Sequence, residues 1–164
     1  MDKKILIAYY SLQGNTRKTA KALQNIIGGD IFEIELEKPY SMVSAFTLGI
    51  IHSARGNGPS LKRRVENLDD YDTVLVGGPV WAYTLTFPVM SFLKTHDLSN
   101  KAVIPFCTHD GAAGKYFEKF VQNCPNADLS KSKEFLKVKS KNDDELTHEV
   151  SDWIGDNGFK KITI

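Results

Sequence analysis

The sequence predicts an α/β fold in which five parallel strands, in the order 2-1-3-4-5, lie between two layers of helices. Short apolar runs alternate along the chain with segments whose apolar residues repeat at helical spacing, and this alternation is typical of a parallel sheet with crossover helices. The 164 residues, of which 41% are hydrophobic, accommodate five such units around a core of ordinary size. We therefore expect a single domain over residues 1–164.

Five apolar segments predict the strands. The first is a continuous run over residues 5–10, as expected for a strand buried on both faces. The others cover residues 31–36, 73–77 and 102–108, with a weaker fifth at 135–138. Pro105 lies inside the fourth segment and has no N–H for the ladder, so we expect a bulge or an unpaired position there.

Helical spacing predicts the connecting helices. The first ends at Gly28, and the last begins at the N-cap Asn142 with Glu145 three residues later. Two more are expected over residues 87–96 and 113–124. Apolar side chains also share one face over residues 40–51. This segment is interpreted as a helix or loop packed on the sheet, as a cover over a bound ligand, or as a contact in a homodimer.

The charge and the cysteine count exclude several classes of protein. With 21 Lys and Arg against 20 Asp and Glu, the net charge of +1 gives no field that would attract nucleic acid or an anionic membrane. No segment approaches the about 20 apolar residues of a membrane span, and no signal peptide is visible. Cys107 and Cys124 make no disulfide framework, and the histidines show no metal-ligand spacing. We expect a cytoplasmic protein without a metal.

Three loops follow the carboxyl ends of predicted strands, at residues 11–16, 78–86 and 108–114. Ligands of open α/β sheets bind at this edge. The first loop, SLQGNT, leads into a helix N-terminus, where unpaired N–H groups and the helix dipole favour a phosphate. An ordinary helix cap with a turn glycine explains the same residues equally well. The loop matches neither GxGxxG nor GxxxxGK[ST].

The second and third loops carry aromatic and titratable side chains. Trp81 and Tyr83 stand two residues apart, which favours a platform for a flat ligand, especially at Trp81, over a ring that caps the core. His109 is explained either as a hydrogen-bonding loop residue or as a group that titrates beside a ligand.

Taken in order, SLQGNT, GGPVWAY and FCTHDG resemble the flavodoxin family, in particular its branch with YYSxxGNT and PFCTH motifs. Little room is left between residues 124 and 135 for the insertion of long-chain flavodoxins, so a short-chain form is implied. The resemblance implies a flavodoxin-like three-layer sandwich and FMN as the cofactor. It also implies electron transfer or oxidoreductase activity through FMN, with a redox partner protein or a small-molecule electron acceptor. No side chain is identified as a catalytic acid or base.

The resemblance also implies which residues bind FMN. Neutral hydrogen bonds to its 5′-phosphate are implied for Ser11, Gln13, Gly14, Asn15 and Thr16. One side of the isoalloxazine is expected against Pro79, Val80, Trp81, Ala82 and Tyr83, and the other against Thr108, His109, Asp110 and Gly111.

The sequence departs from the family in two ways. The near-neutral charge weakens electrostatic steering toward a protein partner. Many flavodoxins have Gly-Asp where this chain has Ala82 and Tyr83, and in that family a peptide of this stretch flips to bond N5 of the reduced flavin. If the flip needs positive φ, alanine resists it by roughly 1–2 kcal/mol relative to glycine. The semiquinone is then weakly stabilised, which favours two-electron chemistry. An FMN-dependent NAD(P)H:quinone or nitro-compound reductase, and a binding or regulatory module without flavin, are alternatives on the same fold.

Overall fold

Strands and helices alternate along residues 4–41 and 58–159, which are the residues described by the computed structural model. The strands are β1 (Ile5–Tyr9), β2 (Asp30–Glu33), β3 (Thr73–Trp81), β4 (Thr84–Leu85), β5 (Ala102–His109) and β6 (Lys133–Leu136). The helices are α1 (Asn15–Ile27), α2 (Phe87–Thr95), α3 (Tyr116–Asn123) and α4 (Asp143–Asp156).

Five of these strands form one parallel sheet in the order β2-β1-β3-β5-β6. The two-residue β4 pairs antiparallel with the end of β3 and does not change this order. In the central pair of strands, Ile5 lies opposite Thr73 and Tyr9 opposite Gly77. The predicted fold class and strand order are confirmed.

Successive residues of each strand point to opposite faces, so the sheet has an apolar layer on both sides. The layer beneath α2 and α3 contains Ala8, Val76, Cys107, Val89, Phe92 and Phe120. The layer beneath α1 and α4 contains Ile7, Leu75, Phe106, Leu23, Val150 and Ile154. Each large side chain buried there stabilises the fold by about 1.5–3 kcal/mol.

The ends of α1 and α4 are set by the predicted residues. Asn142 accepts a hydrogen bond from the backbone N–H of Glu145 at 2.9 Å, and the Glu145 carboxylate accepts one from the N–H of Asn142 at 2.9 Å. At the end of α1, Gly28 has a φ of 71° and donates its N–H to the carbonyl of Gln24. Both predicted boundaries are confirmed.

Several other predicted boundaries are wrong. The third strand does not end at residue 77, because pairing with β5 continues through Pro79 and Thr108 before β4 folds back on β3. The fifth strand begins at Lys133 rather than 135, and Val138 belongs to a 3₁₀ turn that follows it. The third helix begins at Tyr116 rather than 113. Of the predicted helical segment at residues 40–51, positions 42–51 lie outside the described residues.

Pro105 pairs with Val76 of β3 without a bulge and lies outside the ladder between β5 and β6. The carbonyls of Val103 and His109 accept hydrogen bonds from Asp128 and Lys137, so the odd-numbered residues of β5 direct their peptide groups toward β6. The ladder with β6 begins only at Phe106, one residue after the proline. The missing N–H of Pro105 therefore interrupts no β5–β6 pairing, and the register with β3 is continuous.

Both cysteines are buried and unpaired, as the sequence predicts. Burial raises the pKa of the Cys107 and Cys124 thiols, so they remain protonated at neutral pH.

Among the helices that the structure describes, none combines the length and apolar character that a membrane crossing requires.

Candidate functional site

The strands β1, β3 and β5 end at the same edge of the sheet and bring the three predicted loops together. Tyr9 lies opposite Gly77, and Pro79 lies opposite Thr108, so each strand ends beside its neighbour. The N–H of Tyr10 donates to the carbonyl of Gly77 at 3.0 Å and holds the start of the first loop against β3.

The first loop enters α1 through Gly14, which has left-handed φ and ψ of 91° and −9°. Its N–H donates to the Ser11 hydroxyl at 3.1 Å, which closes the loop on itself. The first intrahelical bond runs from the N–H of Lys18 to the carbonyl of Gly14, so the N–H groups of residues 15–17 precede the hydrogen-bonded ladder. No acidic residue lies in the first turn of α1, and this helix N-terminus favours an anion.

A buried hydrogen bond joins the first loop to the third. The hydroxyls of Thr16 and Thr108 lie 2.8 Å apart, and both residues are almost inaccessible to solvent. Because one hydroxyl donates to the other, this bond fixes the first turn of α1 against the end of β5.

The second loop is a tight hairpin rather than an open loop. Val80 pairs with Leu85 and Trp81 with Thr84, which leaves Ala82 and Tyr83 as a two-residue turn. Their φ angles are 48° and 56°, as a type I′ turn requires. Ala82 therefore already has positive φ in the folded protein, where the pairing of the hairpin offsets the cost of about 1–2 kcal/mol that alanine has in this conformation.

The hairpin is held by the loop that follows β5. The N–H of Lys115 donates to the carbonyl of Tyr83 at 2.8 Å. Gly114 has a φ of 57°, and a side chain on it would meet the Tyr83 backbone. These contacts couple the second and third loops.

The two aromatic rings of the hairpin have different environments. Trp81 is half-buried, with its ring 5.7 Å from that of Tyr10 in an edge contact and 6.0 Å from that of Tyr40. Tyr83 is 68% exposed at the turn. Trp81 thus covers part of the core, whereas Tyr83 presents an accessible ring. Burial, with the proximity of Tyr40, raises the pKa of Tyr10 to about 12, so its hydroxyl remains neutral.

His109, at the end of β5, is fixed by a carboxylate on the neighbouring strand. Its side chain is 6% exposed, and its Nε2–H donates to Glu134 at 3.0 Å. Glu134 lies opposite Cys107, two residues before His109, and therefore on the same face of the sheet. The Nδ1 atom is buried and makes no hydrogen bond within the described part of the chain. A buried acceptor of this kind is normally satisfied by a ligand or a water molecule. Asp110 and Gly111, which follow, are exposed.

Sequence reasoning missed a cluster of polar side chains beside the first loop. Arg17 pairs with Glu33 through Nη2 and, at 3.3 Å, through Nε. The Tyr9 hydroxyl donates to the same carboxylate at 3.2 Å. The cluster depends on the pairing of Tyr9 with Glu33 across β1 and β2, which no local pattern reveals.

The fold defines a doubly wound α/β protein, and three loops at the carboxyl ends of its strands form the edge at which such proteins bind ligands. The sequence profile described as Flavodoxin matches residues 4–156. The chain belongs to the flavodoxin family.

Solved structures agree with this assignment. A candidate flavoprotein from Bacteroides eggerthii is 26% identical, with a TM-score of 0.74 over 94% of this chain and 97% of that one. A second from Bacteroides uniformis is 24% identical, with a TM-score of 0.79 over 94% and 99% of the two chains. A flavoprotein from Lactobacillus acidophilus, solved in complex with FMN, is 24% identical, with a TM-score of 0.70 over 91% and 99%. The search of curated proteins found no match.

Proposed function

We propose that this protein binds FMN at the edge formed by its three loops and transfers electrons through it. The observation that carries the proposal is the convergence of a helix N-terminus, an exposed aromatic ring and a buried unsatisfied acceptor at one edge of the sheet. The family assignment and the FMN complex of the similar Lactobacillus acidophilus protein support it.

The first loop fits the phosphate of FMN. The N–H groups of Asn15 and Thr16, which precede the helical ladder, would donate to phosphate oxygens, together with side chains of Ser11 and Gln13. Gly14 holds the bend without a side chain that would block the approach: apart from the atoms of its chain neighbours, the described residues place no heavy atom closer than 4.0 Å to a Cβ there. The Thr16–Thr108 bond preorganises this loop, so little order has to be imposed on binding.

The hairpin and the third loop would contain the isoalloxazine. Bound FMN supplies the redox chemistry. Tyr83 would stack on the ring system of the flavin, and the backbone of Ala82 would face the same ligand. The hairpin that carries them would be supported by Trp81, which packs on Tyr10, and by the strand residues Pro79 and Val80. On the other side the backbone of residues 108–111 would border the ligand. The coupling of Tyr83 to Lys115 keeps both walls in register and limits the access of water.

His109 would present its buried Nδ1 to a donor on the ligand or to water. Glu134 holds the ring by accepting the Nε2–H, which selects the tautomer with an acceptor at Nδ1.

The net charge of +1 favours a small-molecule electron acceptor over a protein partner reached by electrostatic steering. A direct assay distinguishes the two. Oxidation of NAD(P)H by the FMN-loaded protein, with a quinone or nitro compound as acceptor, is expected for a reductase, whereas a carrier requires a separate reductase.

Titration of the apo-protein with FMN and with riboflavin, followed by quenching of flavin fluorescence, tests the proposal. We expect tight binding of FMN and weaker binding of riboflavin. Tyr83→Ala should weaken both by about two- to tenfold, because stacking contributes about 0.5–1.5 kcal/mol. Leu129→Ala removes another exposed apolar side chain from a turn outside the three loops and should change neither. Failure of the wild-type protein to bind either flavin would refute the proposal.

A further inference from the structure

We propose that Arg17 is the charged part of the phosphate site and determines the preference for FMN over riboflavin. This inference rests on the proposed function and deepens it. The resemblance of the first loop to the flavodoxin family implies only neutral hydrogen bonds to the phosphate, whereas the structure places a guanidinium beside that loop.

Arg17 is the third residue of α1, and its side chain folds back over the loop. If Gly14 carried a Cβ, that atom would lie 4.0 Å from Nη1 of Arg17, and no other heavy atom of the described residues would lie within 4 Å apart from those of its chain neighbours. The guanidinium therefore lies beside the bend at which the phosphate is expected.

Glu33 fixes the orientation of this group. Its carboxylate binds Nε and Nη2, and neither of these bonds uses Nη1. The Tyr9 hydroxyl donates to Oε2 of Glu33, the same oxygen that accepts from Nε of Arg17. With Nε and Nη2 bound to Glu33, Nη1 is the guanidinium nitrogen that lies on the side of Gly14. Hydrogen bonding to Glu33 also raises the pKa of Arg17, which stays charged at every accessible pH.

Neighbouring basic side chains are arranged differently. Lys18 is engaged by the carboxylate of Asp143 at 3.0 Å and by the carbonyl of Lys141 at 2.8 Å, so it faces α4. Lys21 lies one helical turn beyond Arg17 and is exposed. Among the basic residues of α1, Arg17 is the one whose charged group the structure places against the loop.

A phosphate at the loop would gain a charge-assisted hydrogen bond from Nη1, about twice as strong as a neutral one. Riboflavin has no phosphate and would gain nothing. The contribution of Arg17 should therefore be visible in the ratio of the two affinities, and it should decrease as salt screens the charge.

The experiment compares three proteins in the same fluorescence titration: wild type, Arg17→Gln and Lys21→Gln, each with FMN and riboflavin at low and high ionic strength. Arg17→Gln should bind FMN about ten- to a hundredfold more weakly, bind riboflavin as the wild type does, and lose most of the salt dependence. Lys21→Gln removes the same charge one turn away and should behave as the wild type. Arg17→Lys, which keeps the charge but not the two-point attachment to Glu33, should restore part of the affinity.

The outcomes separate this inference from the proposed function. If the wild type prefers FMN and Arg17→Gln retains that preference, the role of Arg17 is refuted while FMN binding stands. The same holds if Lys21→Gln has an equal effect, since the charge would then act only at long range, or if Arg17→Gln weakens both flavins equally. If the wild type binds neither flavin, both proposals fail.

Discussion

Adding one methyl group at Gly114 tests the coupling between the second and third loops. The residue has a φ of 57°, and a Cβ on it would lie 2.3 Å from the carbonyl oxygen of Tyr83 and 2.7 Å from the Tyr83 Cβ. Neither atom can rotate away, because one belongs to the backbone and the other is attached to it directly. Gly114→Ala must therefore move one loop relative to the other.

Three terms determine the cost of Gly114→Ala. An alanine with left-handed φ costs about 1–2 kcal/mol, and overpacking costs about 1–3 kcal/mol. Loss of the bond from the Lys115 N–H to the Tyr83 carbonyl costs about 0.5–1.5 kcal/mol. The last two terms overlap, because the shift that relieves the clash also breaks the bond. We expect the free energy of unfolding to decrease by about 2–4 kcal/mol.

The assay is urea unfolding followed by circular dichroism, with Gly111→Ala as the matched control. Gly111 lies in the same loop and its φ is not positive; apart from its chain neighbours, no atom of the described residues would lie within 4 Å of a Cβ on it. Its replacement should leave the stability unchanged or raise it by up to about 1 kcal/mol. A loss below about 1 kcal/mol for Gly114→Ala, or equal losses for both variants, would show that the two loops are not coupled through this contact.

Three further substitutions test other parts of the structure. His96 is neutral in the folded protein, because Nδ1–H donates to a carbonyl of α2 at 2.9 Å while Nε2 accepts the N–H of Val65 at 3.0 Å, and burial lowers its pKa. Its contribution to stability is therefore complete above the unfolded pKa of 6.5 and is lost as the pH falls through the folded-state pKa, by up to about 1.4 kcal/mol per pH unit. Urea unfolding between pH 7.5 and 5 should show a smaller loss for His96→Gln than for the wild type, and an identical loss would contradict this role. Asn142→Ala removes the cap of α4 and should lower the free energy of unfolding by about 1 kcal/mol, whereas a change below about 0.3 kcal/mol would argue against the capping box. Thr108→Val leaves the Thr16 hydroxyl unpaired and should cost about 1–3 kcal/mol in thermal unfolding, while a neutral result would mean that water replaces the lost partner.

Local sequence signals are sufficient to locate the five strands of the parallel sheet, though not all their bounds, and to place the ends of two helices; the alternation of strands and helices predicts the order of the sheet. The capping residues of α4 lie three positions apart, so their interaction is visible in the sequence itself. The buried strands are continuous apolar runs, because both faces of the sheet are covered.

The features that sequence reasoning missed depend on contacts between distant residues. Neither Ala82 nor Tyr83 is typical of a type I′ turn, so the hairpin had no local signal and the end of β3 was placed four residues too early. The proximity of Arg17 to Glu33 arises from the β1–β2 register, and that of His109 to Glu134 from the β5–β6 register. A parallel register is set by the packing of whole strands, which a single sequence does not reveal.

The position of β1 inside the sheet, between β2 and β3, also has a consequence for synthesis on the ribosome. β1 pairs on one side with β2, which follows within a few tens of residues, but on the other side with β3, which begins only at Thr73. At about 5–20 residues per second, the translation of the stretch from Glu33 to Thr73 takes about 2–8 s. During that interval the nascent chain has an apolar strand with one unpaired edge, at which pairing with another nascent chain competes with folding. Slower translation of this stretch should therefore increase aggregation of the newly made protein, and binding of a chaperone to the β1–α1–β2 unit should reduce it.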